Sequence, residues 1–149
     1  MSLNKKELGS EAHFQTKEEI RYSSVLAAFS DFKGGFRGST ETVYKAFKVL
    51  SEEFSDKFPS LYFSDLGRMP YSRELEDDLS DLGHSGILEH VCTTKEDLLV
   101  SARNSRAIQK TLKQMYGENV LKDSLPIAKR FKELVKELKK AKVNDNANY

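Results

Sequence analysis

Residues 73–82 (RELEDDLSDL) carry five carboxylates and one guanidinium, a local net charge of −4. At helical spacing Glu74, Asp77 and Asp81 fall on one face, with Glu76 and Asp78 beside them. Carboxylates grouped in this way can dock a basic protein surface, hold a divalent cation, or simply keep a helix face hydrated. They are unsuited to reading a DNA major groove, where a helix must offset phosphate charge with bases.

A second charged group has the opposite sign. Lys129, Arg130, Lys132, Lys136, Lys139, Lys140 and Lys142 are opposed only by Glu133 and Glu137. Such a helix contacts phosphates or an acidic protein, or is the solvated side of an amphipathic helix. Phe131 is the only aromatic residue among these bases and lies on the apolar seam, which disfavours a stacking platform for single strands. His84, His90 and Cys92 lie near one another but lack a fourth ligand and a paired C-x-x-C, so no metal is expected. The segment GGFRG at residues 34–38 has no following Lys-Ser/Thr and no preceding strand, which makes it a turn rather than a phosphate loop. No nucleophile elbow or metalloprotease motif occurs. The expectation is a non-enzymatic protein with no catalytic residues and no cofactor.

The elements that carry these groups follow from periodicity. Thr16 and Glu19 form a capping box, and Tyr22, Val25, Leu26, Phe29 and Phe32 continue at helical spacing to a stop at Gly34-Gly35. Ser39 or Thr40 caps a second helix with Val43, Phe47, Leu50 and Phe54 on one side, ending before Pro59. Residues 61–63 read as a short strand. Ser72 caps the acidic helix, whose Tyr71, Leu75, Leu79 and Leu82 point one way, and Gly83 and Gly86 close it. Residues 87–91 and 98–101 then read as a hairpin around a turn at 93–97. In a rival reading Thr93 and Glu96 cap a helix that carries Leu98, Ala102, Ile108 and Leu112. Residues 105–116 form a helix ending at Gly117, and the last helix starts near Asp123 or Ser124 with Pro126 in its first turn. Its seam of Ile127, Phe131, Leu134, Leu138 and Ala141 packs on the domain or against a second copy, so a homodimer through residues 127–141 is expected as one outcome.

A chain of 149 residues, 32% charged and 38% hydrophobic, suits one globular unit. Its net charge of +1 hides an asymmetry: residues 61–98 carry −6 and residues 99–149 carry +7. One cysteine excludes an intrachain disulfide and suggests a cytoplasmic setting. No apolar run reaches the length of a membrane span, and residues 1–10 lack an apolar signal core. The expected layout is a flexible arm at 1–15, one domain at 16–142 and a disordered tail at 143–149.

Helix, glycine break, helix, strand, helix and wing is a winged-helix order: mainly α, with a small β-hairpin and additional C-terminal helices. The string from about residue 20 to about 104 resembles the uncharacterised YwgA-like family of bacteria and archaea, itself similar to the Panacea-type antitoxin domain. The matching residues are Gly34, Gly35 and Gly38, then Pro70, Tyr71, Ser72, Leu75, Asp78 and Leu79, then Gly86, Ile87 and Leu88. Ser101 and Asn104 stand where such families place Thr and Gly. Met69 replaces a usual glycine and Ser39 a usual base. The resemblance implies a fold more than a function; the charge layout adds the expectation of a regulatory or antitoxin-type module working through protein contacts, with Glu74, Asp77, Asp78 and Asp81 facing the partner. The alternative is a DNA-binding transcriptional regulator using Lys95 at the wing tip, Arg103, Arg106, Lys129, Arg130, Lys132 and Lys136.

Overall fold

The computed structural model describes residues 16–147 apart from 34, 66–68, 93–97 and 103–104; the arm at 1–15, Lys95 and Arg103 lie outside the described residues. The chain is mainly helical. The elements in order are α1 (Lys17–Ala28), β1 (Arg37–Ser39), α2 (Thr40–Glu53), α3 (Arg73–His84), β2 (Leu88–Cys92), β3 (Leu98–Ala102), α4 (Ser105–Tyr116) and α5 (Glu118–Ala147).

Helix α1 opens on the expected capping box. The Glu19 N–H donates to Thr16 Oγ1 at 3.1 Å, and the Thr16 N–H donates to Glu19 Oε1 at 2.9 Å. It stops at Ala28, short of the glycines. The Phe29 and Ser30 N–H groups turn inward to the Leu26 and Ala27 carbonyls, and the Ser30 hydroxyl adds a 2.6 Å bond to Ala27 O. Tight bonds of this kind end a helix early, and they free Phe29 and Phe32 to enter the core from a turn.

Ser39 caps α2 through the Thr42 N–H, and Ser72 caps α3 through the Leu75 N–H. The strand expected at 61–63 is absent; only a bridge between Ser64 and Tyr71 forms there. A turn precedes it, with Pro59 followed by Ser60 at φ 64° and the Leu61 N–H bonded to Phe58 O. That is type II geometry, with serine in the position glycine usually takes. The turn buries Leu61 and exposes Tyr62.

Strand β3 lies between β1 and β2 and runs antiparallel to both. Leu88 pairs with Ala102 and Cys92 with Leu98, while Arg37 pairs with Ser101 and Ser39 with Leu99. β1 was not expected. Its three residues, RGS, carry no apolar alternation, and its place is set by pairing with β3; within it a Cβ on Gly38 would come within 2.7 Å of the neighbouring Phe36 ring, which favours glycine there.

The last helix departs most from expectation. It begins at Glu118, directly after Gly117 at φ 95°, so Pro126 sits in its interior and not in its first turn. The Ser124 hydroxyl bonds back to Val120 O at 2.6 Å rather than capping a new start. Proline there deprives the Lys122 carbonyl of its partner and costs about 3 kcal/mol. Both residues are exposed, so water can reach that carbonyl, and the partial burial of Leu121 and burial of Ser124 before it, with that of Ile127, Ala128 and Phe131 after it, offset the loss. The helix continues to Ala147, through most of the tail expected to be disordered.

Helix α5 packs on α1, α2 and α4. Ile127, Phe131, Leu134 and Val135 are all buried there, so the seam proposed for a homodimer is already occupied by the chain's own core, while Ala141 at its end is exposed. At the centre Phe131 meets the rings of Phe29 at 5.2 Å, Phe36 at 5.6 Å and Phe47 at 5.0 Å. Replacing Phe131 by Ala should cost about 3–5 kcal/mol in urea denaturation, whereas Leu125→Ala, at a half-exposed site of the same helix, should change stability by less than about 0.5 kcal/mol.

Candidate functional site

The acidic helix is held by the face opposite its carboxylates. Leu75, Leu79 and Leu82 are buried, and Asp78 falls in register with them. Asp78 is therefore not on the partner-facing surface as expected. It is 3% exposed and accepts two bonds from Arg21 of α1, from Nε at 2.8 Å and from Nη2 at 3.1 Å. Burial pushes the Asp78 carboxyl up from its usual value while the guanidinium pulls against it. The same bonds raise the pKa of Arg21 and keep it charged.

The other three expected carboxylates are arranged differently. Glu74 is half-buried, and its Oε1 accepts from the Tyr62 N–H at 3.3 Å and the Ser72 hydroxyl at 3.2 Å. Asp77 and Asp81 are exposed. Glu76 joins them on the surface and accepts from the Tyr71 hydroxyl at 2.6 Å, a bond that raises the Tyr71 pKa. The Tyr71 ring stacks on Tyr44 at 6.1 Å and 10°, which steadies the start of the helix. The exposed ionisable side chains of α3 are thus Arg73, Glu76, Asp77, Asp81 and, at its end, His84.

The cationic candidates separate into two groups. Arg130 is half-buried and engaged: its Nε and Nη2 donate to Glu53 of α2 at 2.8 and 3.0 Å, and its Nη1 reaches Glu133 at 3.3 Å and Glu137 at 3.8 Å. These bonds lower the Glu53 pKa and raise that of Arg130. Lys139 donates to Arg37 O at 2.6 Å and lies 5.8 Å over the Phe36 ring, covering part of strand β1. Lys129, Lys132 and Lys136 are exposed and form no ion pair among the described residues, and the same holds for Arg106. Arg106 shares the outer face of α4 with Lys110 and Lys113, and α4 has no acidic residue.

Sequence reasoning missed Arg21 and misplaced Asp78, although a signal existed for both. Arg21 is in helical register with the buried Val25 and Ala28, and Asp78 with Leu75 and Leu82. A charge on an apolar stripe requires a partner. Of the residues weighed for zinc, His84 is exposed at the end of α3, while the side chains of His90 and Cys92 lie outside the described set.

Removing Arg21 leaves a buried carboxylate without its counter-ion. Arg21→Ala should cost about 3–5 kcal/mol near neutral pH, and Arg21→Leu with Asp78→Leu should recover most of that. A carboxyl whose folded pKa is raised gives stability that is full below its unfolded value and lost as pH rises through the folded one. The deficit of Arg21→Ala should therefore shrink on acidification toward the carboxylate range; a deficit that grows on acidification would contradict this assignment. Comparison of the chain with family models, with curated proteins and with solved structures returns no match, so the reading of the site rests on its own geometry.

Proposed function

We infer that the chain is a winged-helix-like, non-enzymatic regulatory or antitoxin-type module, the resemblance to YwgA-like and Panacea-type domains bearing on its fold and the charge layout on its mode of action. It acts by capturing a basic protein partner on the exposed face of α3. The order α1, β1, α2, α3, β2, β3, with β3 central in the sheet, is consistent with that architecture. In it, α3 holds the position from which such domains reach into a DNA groove.

One observation carries the reading. With Asp78 withdrawn into the core, α3 still exposes three carboxylates, Glu76, Asp77 and Asp81, against Arg73. A carboxylate about 6 Å from a phosphate in water is repelled by about 0.7 kcal/mol, and it supplies none of the counterion release that drives DNA association. A guanidinium or ammonium group on a protein partner meets attraction of the same size at each position. Because these groups are exposed, each pair contributes little, and the face sets the rate and choice of partner more than the affinity.

The double change Asp77→Lys with Asp81→Lys tests this. Both side chains are exposed, so the circular dichroism spectrum should match that of the parent chain. Co-purification of the partner from source cells should be lost. Retention of the same partner in equal yield would overturn the reading.

A further inference from the structure

Helix α5 has a charged side that the α3 reading does not use. Lys122, Lys129, Lys132, Lys136 and Lys140 are all exposed and lie on one side of the helix, opposite the buried Ile127, Phe131 and Leu134. They span about 27 Å of helix axis at about 1.5 Å per residue. None makes an ion pair among the described residues. Both nearby glutamates, Glu133 and Glu137, are turned toward Arg130, which also holds Glu53 of α2. Three carboxylates are thereby gathered on the α2 side, and the lysine side is left predominantly cationic, with Glu118 one turn before Lys122 as an exposed acid at its start.

We propose that this lysine ridge binds the phosphate backbone of duplex nucleic acid, independently of base sequence and of the α3 face. The chemistry of the ridge selects this occupant over three others. Stable anchoring to an anionic membrane takes an apolar contribution beside charge, and the apolar face of α5 is buried in the chain's own core. Single strands require exposed rings for stacking, whereas the ridge has none and Phe131 is fully buried. The acidic face of a second copy is too short: Glu76 to Asp81 covers about 7.5 Å, against the 27 Å of the ridge. A duplex offers a continuous row of phosphates, one per about 3.4 Å of axis on each strand, and can meet the whole length. Leu125, half-exposed within the ridge, adds apolar contact but no base reading.

The test is the salt dependence of binding of the full chain to a labelled duplex of random sequence. Five lysines that displace counterions give a slope of log K against log salt of about −4.5, so affinity should fall about 500-fold between about 50 and about 200 mM salt. Lys129→Gln, Lys132→Gln and Lys136→Gln together should reduce the slope to about −1.8. If that variant does not keep the parent circular dichroism spectrum, Lys132→Gln alone should make the slope shallower by about 0.9. Asp77→Lys with Asp81→Lys, the variant that tests the protein-docking face, should leave the lysine contribution in place, so the two readings fail separately. Absence of duplex binding at about 50 mM salt, a slope indifferent to the lysine changes, equal or tighter binding of a single strand, retention on phosphatidylserine vesicles without retention on duplex, or self-association in its place would each overturn the proposal.

Discussion

The burial of Phe131 against Phe29, Phe36 and Phe47 is the constraint on which the rest of the molecule depends. Edge and tilted ring pairs contribute about 0.5–1.5 kcal/mol each beyond the area they cover, and they join the loop after α1, the loop before β1, helix α2 and helix α5 at one point. Because α5 enters the core through this residue, its apolar seam is occupied by the chain itself. Its lysines have no direction left but outward, and the face that would have served a second copy or a lipid surface is covered. One packing decision therefore determines what α5 can offer to a partner.

The Arg21–Asp78 pair makes a different contribution. A buried ion pair is weak evidence of stability, because two apolar side chains in its place are often as good or better. Its effect here is on register: two bonds from one guanidinium to one carboxylate fix which turn of α1 meets which turn of α3. Leucine against leucine would tolerate several such placements. The charges of Asp78 and Asp81 also raise the pKa of Tyr22 after burial has done so, and burial pushes the Tyr116 hydroxyl up to about 12. The contact between α1, α3 and α4 is thus a place where polar groups are held in low dielectric, and they remain neutral unless paired.

Local signals in the chain were legible where the cause was local. Thr16 with Glu19, Ser39, Ser72 and Gly117 mark helix ends by side-chain or backbone chemistry within four residues, and the structure uses each as such. Failures occur where a distant contact overrides the local cue. Pro126 after Asp123 and Ser124 has every feature of a helix start, yet core burial on both sides carries the helix through it. β1 has no pattern of its own and exists because β3 passes beside it. Asp78 looked like its neighbours because composition counts charges without regard to phase, and only its register with Leu75 and Leu82 distinguishes it.

Charge in this molecule is sorted by hydrogen bonding as well as by sequence. Along α5 eight bases stand among five acids, so opposite charges lie close together although the helix is basic in sum. Arg130 draws part of the acid aside. By engaging Glu53, Glu133 and Glu137 together it collects three negative charges beside one positive one on the α2 flank, and the lysine flank stays predominantly cationic. Surface pairs of this kind add little to stability, since water screens them. Their consequence is directional: a field of one sign along a helix acts at a distance comparable to the Debye length, about 8–10 Å at ordinary salt, whereas mixed charges cancel well inside it. A chain that is nearly neutral in sum therefore presents an acidic face on α3 and a basic one on α5, and the field of each extends into solvent beyond contact distance.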